Sequence, residues 1–126
     1  MTWEFFSVQE LRCKGTNEIN MDEKFMQKLE ALRKELNQPM IITSGYRHIG
    51  YNQVIGGSRN SPHLYGKAVD VLCYGKDAYT LISMAMQSGM TGIGVQQRGD
   101  YDSRFIHLDD MPKSKSHHRP WIWSYK

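Results

Sequence analysis

"SPHLYGKAVD", Ser61 to Asp70, sets a histidine and an aspartate seven residues apart with only Gly66 and Ala68 as small residues between them. His63 falls in a loop signalled by the Gly- and Asn-rich run before it. "GKAVDVLC" (Gly66 to Cys73) alternates and predicts a strand. Side chains two apart on a strand share a face, so Ala68, Asp70 and Leu72 point one way and Val69, Val71 and Cys73 the other. An aspartate flanked by valines cannot be buried unpaired without a large penalty. His63 and the downstream His107 can both partner it. Gly66 lets the chain turn into the strand, and Ala68 leaves room on the face of Asp70.

Working outward, "NMDEKFMQKLEALRKEL" (residues 20–36) predicts an amphipathic helix, with Asn20 as its cap and Glu23 in capping-box position. Phe25, Leu29, Leu32 and Leu36 form one stripe toward a core, and Asn37 and Pro39 stop the helix. "MIIT" (Met40 to Thr43) predicts a strand, and a helical turn fits Ile49 to Val54. "KDAYTLISMAMQSG" predicts a second helix, ended by Gly89 as its C-cap. "GIGVQQ" (Gly92 to Gln97), the turn "RGDYDS" and "RFIHLD" (Arg104 to Asp109) predict a hairpin. Strands and helices mix without regular βαβ alternation. The class expected is α+β, a mainly antiparallel sheet with helices packed on it.

With 126 residues the chain suits a single domain, 1–126, with one core. Hydrophobic residues are 40% and charged ones 23%, near globular averages, which argues against disorder. A net charge of +3 is too mild for a dedicated nucleic-acid binder, and no such motif is present. No apolar stretch is long enough to span a bilayer, and "MTWEFFSVQE" has no signal-peptide pattern. Synthesis in the cytoplasm, a monomer, and free thiols at Cys13 and Cys73 are therefore expected.

Phe105, His107 and Asp109 share a strand face, with Ile106 and Leu108 on the opposite one. Two histidines and a carboxylate leave a fourth tetrahedral position open, the arrangement of a catalytic zinc. From spacing alone, a structural histidine–aspartate pair is the commoner arrangement, and the metal reading stays open beside it. His117 and His118, in the polar tail, read as solvated. Trp121 and Trp123 read as packing the terminus against the domain or lining a groove, and Met84, Met86 and Met90 as core or filler.

Ser61-x-His63-x-x-Gly66-x-Ala68-x-Asp70, followed by His107-x-Asp109, resembles the zinc D-alanyl-D-alanine carboxypeptidases and their relatives, whose fold is shared with hedgehog amino-domains. "FFSVQELRC", "LEALRKELNQPMIITSGYR" and "YNQVIGGSRNSPH" extend the likeness, in order, to the small peptidoglycan-hydrolase branch that includes phage endolysins. The resemblance implies one zinc ion held by His63, Asp70 and His107. It implies hydrolysis of D-amino-acid bonds in the stem peptides of bacterial peptidoglycan, and hence action at the cell wall. Arg47 would meet a substrate carboxylate, for which a guanidinium fork is suited, and Ser61 would bond substrate or order the loop.

One departure concerns the general base. Many relatives carry an acidic residue three positions before the last histidine ligand, where this chain has Arg104. Asp109 is the best substitute, either as general base or as a partner orienting a zinc histidine. Asp100 and Asp102 are weaker candidates. The departure also admits another reading, a non-catalytic zinc-containing binding or assembly module of the same fold.

Overall fold

The computed structural model describes residues 2–125. Five strands form one sheet: β1 (Ile41–Ser44), β2 (Ala68–Leu72), β3 (Gly92–Gln96), β4 (Phe105–Asp109) and β5 (Trp121–Ser124). Their spatial order is β1-β2-β4-β3-β5. All neighbours are antiparallel except β3 and β5, which run parallel. Four helices accompany them: α1 (Val8–Leu11), α2 (Glu23–Leu36), α3 (Ile49–Val54) and α4 (Gly75–Gln87). This is the α+β architecture with a largely antiparallel sheet that the sequence predicts.

The apolar stripe of α2 behaves as its spacing requires. Phe25, Leu29 and Leu32 are fully buried, Leu36 packs at the margin, and Leu81 and Ala85 of α4 join them. They meet Val69, Val71, Ile93, Ile106 and Leu108, the side chains on one face of β2, β3 and β4. Each large side chain so buried contributes roughly 1.5–3 kcal/mol. Both helices thus occupy one face of the sheet, leaving Asp70, His107 and Asp109 on the other.

Several boundaries differ from expectation, for local reasons. Asp22, not Asn20, caps α2, its carboxylate accepting from Phe25 N at 2.9 Å. Residues 20–22 are instead held extended against the next loop, where Asp22 N donates to Gly66 O at 2.9 Å. Gly66 has φ 67°, and a β-carbon there would collide with the Asn20 carbonyl. At the far end Asn37 takes a left-handed φ of 54° and stops the helix as expected. α4 ends one residue earlier than its glycine suggested, with Ser88 as cap and Gly89 following at φ 91°. α1, capped by Ser7 with Glu10 reciprocating, was not anticipated. Nor was β5. Cys13 and Cys73 are both free thiols, and no described helix is long and apolar enough to cross a membrane.

Register decides what the polar face carries. Ser44, Asp70, His107, Gly94 and Trp123 lie in one row across all five strands. The adjacent row runs Ala68, Asp109, Gly92 and Trp121. Directly opposed residues on paired strands bring their β-carbons to about 4.5–5.5 Å, so Asp70 and His107 meet by register alone.

Candidate metal centre

Three elements deliver the central group. β2 carries Asp70, β4 carries His107, and a 3-10 turn at Pro62–Tyr65 carries His63. Ser61 caps that turn, its hydroxyl accepting from His63 N at 3.3 Å. All three side chains are buried, and one ligand atom from each lies within 4.8 Å of the others. His63 Nε2 and His107 Nδ1 both sit 3.2 Å from the same oxygen, Asp70 Oδ1.

The outer ring nitrogens fix the protonation pattern. His63 Nδ1 lies 2.7 Å from the Gly45 carbonyl, which only accepts, so this nitrogen carries the proton. His107 Nε2 donates to Asp109 Oδ2 at 2.7 Å. Each neutral imidazole therefore turns a bare lone pair toward a carboxylate oxygen. Lone pairs opposed in a buried site repel unless a cation stands between them. Two imidazoles and a carboxylate are a donor set for zinc, and 3.2 Å approximates the roughly 3.3–3.6 Å edge of a tetrahedron with bonds of ~2.0–2.2 Å. The residues fit a metal ion, each histidine being held from behind as metal-ligating histidines commonly are.

Electrostatics agree with the geometry. Burial alone would raise Asp70, but His63 and His107 beside it hold its carboxyl well below the usual range. Burial lowers His63. His107 is raised despite burial, because the carboxylates of Asp109 and Asp70 on either side of its ring favour a positive charge there. Asp109, which burial would raise, is brought down to about 2 by His107 and Arg119.

Arg47 lies at the Asp70 side. Its Nε donates to Ser44 Oγ at 3.2 Å, one terminal nitrogen to Asn52 Oδ1 at 3.3 Å, and the other to Asp70 Oδ2 at 3.4 Å. Two of its five N–H groups are left for another acceptor. Asn52 is buried at 1% exposure and also donates to Ser58 O at 2.8 Å, tying the loop at residues 56–58 to Arg47. Nothing in the pattern around Asn52 distinguished it from an ordinary polar residue of a short helical turn.

Asp109 shares the face of His107, as strand parity predicts, but it is 0% exposed and does not line the cleft. Its two oxygens accept four donors: His107 Nε2, Met111 N and two nitrogens of Arg119. Of the two roles open to it, this surrounding suits orientation of His107. Arg104 lies apart, bonding the Gly99 carbonyl and stacking on Tyr101, and Asp100 and Asp102 are exposed in the turn.

The cleft over the centre has a volume of about 550 Å³. Arg47, Ser61 and Gly57 line one side, and Phe105, Trp123 and Tyr125 the other. The second wall exists because Gly94 has no side chain: a β-carbon there would come within 2.8 Å of the Trp123 ring and the Tyr125 hydroxyl. Burial, then the nearby Asp70 charge, push the Tyr125 phenol up to about 12, so it remains a hydrogen-bond donor. Trp121 and Trp123 thus both form β5 and line the groove. The expectation of a solvated His117 is corrected. Its ring is buried, Nε2 donating to the Asn60 carbonyl at 2.7 Å, which ties the segment after β4 to the loop on the opposite rim. His118 is exposed.

The model of the family described as Peptidase M15 matches residues 4–109 of this chain. The zinc D-Ala-D-Ala carboxypeptidase of Streptomyces albus G is 33% identical over 69 residues, covering 54% of this chain and 27% of that relative. The match therefore spans about a quarter of the relative's length.

Proposed function

This chain belongs to the peptidase M15 family, and from that premise we propose that it is a zinc metallopeptidase acting on the stem peptides of bacterial peptidoglycan. The bond cut would involve a D-amino acid, in the manner of a D,D-carboxypeptidase or an endopeptidase. One observation carries the reading: three buried donors from three elements face one point, and the two outer histidine nitrogens are already satisfied. The similarity to a zinc D-Ala-D-Ala carboxypeptidase supports the metal and the substrate class.

His63, Asp70 and His107 would hold one zinc ion, which when bound polarises a carbonyl and lowers the pKa of water. Asp109 keeps His107 in the tautomer that offers Nδ1. Arg47 steadies Asp70 through Oδ2 and offers its remaining N–H groups to a substrate carboxylate. Ser61 orders the turn that presents His63. Tyr125, protonated in the working range, can donate to an oxygen that gains charge during hydrolysis. The walls of the cleft exclude part of the surrounding water, strengthening each of these interactions.

A second reading, a zinc-containing binding module, draws on the absence of any carboxylate but Asp70 among the described cleft-lining residues. Purified peptidoglycan separates the two. The peptidase reading expects new amino groups or free D-alanine, lost with a chelator and restored by zinc. Binding to peptidoglycan without any bond cleavage would select the module instead.

A further inference from the structure

The segment that follows β4 lies beyond the residues matched by the family model, which end at Asp109. It nevertheless returns to the centre. Arg119 Nε donates to Asp109 Oδ1 at 3.0 Å and Nη2 to Oδ2 at 2.8 Å, a bidentate pair with 8% and 0% side-chain exposure. Asp109 Oδ2 in turn accepts from His107 Nε2. The guanidinium also stacks over Trp123 at 5.2 Å, and Trp123 lies 5.1 Å from the His107 ring.

We propose that Arg119 is a positioning residue for the metal centre: by clamping Asp109 it holds His107 with Nδ1 turned toward Asp70 and His63. Besides His107 and Arg119, Asp109 accepts from Met111 N at 3.1 Å on Oδ1, a single backbone bond that leaves the carboxylate room to tilt about its side chain. Two parallel bonds from a planar fork remove that freedom and keep the group charged. A charged, fixed Asp109 keeps a proton on Nε2 of His107, so that the neutral ring carries its lone pair on Nδ1. Gly92 completes the arrangement, since a β-carbon there would collide with the Asp109 carboxylate. The segment carrying Arg119 and Trp123 is then part of the centre, not a trailing end.

This inference rests on His63, Asp70 and His107 being the ligands, and the test separates the two claims. Zinc affinity is measured by competition with a chromophoric chelator for the parent, His63→Ala, Asp109→Asn, Arg119→Gln and the double variant Asp109→Asn/Arg119→Gln. Arg119→Gln should weaken zinc binding roughly 10–100-fold, as losses of groups supporting a ligand do. Because Arg119 acts through Asp109, the double variant should be little weaker than Asp109→Asn alone. Should Arg119→Gln fail to fold, Arg119→Lys, which retains charge but not the fork, should show a smaller loss with the same non-additivity. Unchanged zinc affinity in the folded Arg119 variants, or losses that simply multiply, would overturn the role of Arg119. Parent-like affinity in His63→Ala would overturn the ligand set instead.

Discussion

The two histidines of the centre are held from behind in different ways. His63 leans on the backbone, its Nδ1–H meeting the Gly45 carbonyl. His107 leans on side chains, through Asp109 to Arg119. A backbone carbonyl cannot be substituted, and Gly45 itself has no room to change: a β-carbon there would sit 2.5 Å from the Leu11 carbonyl. Support for one ligand is thus built into the path of the chain, while support for the other depends on residues that can be altered singly. Each half also has its own sequence signature. His63 lies within one short motif and its supporting carbonyl 18 residues upstream, whereas the second half is dispersed over two strands and the segment joining them.

The comparison breaks outright if either ligand is dispensable. His63→Ala or Asp70→Ala should remove nearly all bound zinc, measured as metal content after purification without chelator. Asp109→Asn should retain the fold but lose roughly 10–100-fold in zinc affinity, with activity partly rescued by added zinc. A general base would behave otherwise, leaving affinity intact while turnover falls at least ~100-fold. Gly92→Ala reaches the same carboxylate from the opposite strand and should weaken zinc binding in the same direction. The corresponding change on the His63 side, Gly45→Ala, should act mainly on stability, read as a lower melting temperature.

Smaller effects sharpen the picture. Arg47→Lys keeps the charge but loses the planar fork. It should raise KM for a stem-peptide substrate while zinc content remains near the parent level. Asp22→Ala removes the α2 cap and should cost about 1 kcal/mol, a melting shift of roughly 3–5 °C for a chain of this size. The pH dependence has a definite sign. Although burial opposes it, Phe25 N and Lys67 lower the Asp22 pKa below 3.8. Its contribution is therefore present above pH 3.8 and is lost as the pH falls below that value. The Asp22→Ala variant should lose less stability than the parent over that acidic range.

These two halves differed in legibility for the same physical reasons. The run from Ser61 to Asp70 is local: a turn, a left-handed glycine and a strand of small and branched residues position His63 and Asp70 within one stretch. Strand parity placed His107 and Asp109 on their correct face. Parity does not say whether a position on that face is open or covered, so the role of Asp109 stayed divided between base and orienting group. What covers it, Arg119, sits in a polar tail with a proline and paired histidines, a composition that reads as solvated. β5 pairs in parallel with β3 across two intervening segments, and short edge strands of this kind carry little periodicity. His117 is buried only because a distant carbonyl, that of Asn60, comes to meet it. Asn20 was a sound cap by type, but the helix starts two residues later, where Asp22 bonds the Gly66 carbonyl through its N–H and caps α2 with its side chain.

Diffraction from zinc-loaded crystals, recorded on both sides of the zinc absorption edge, tests the central claim most directly. One anomalous peak is expected per chain, bonded to His63 Nε2, Asp70 and His107 Nδ1, with Asp109 and Arg119 still paired behind it. A peak at His117 and His118, or none at the three buried donors, would contradict the assignment of this centre.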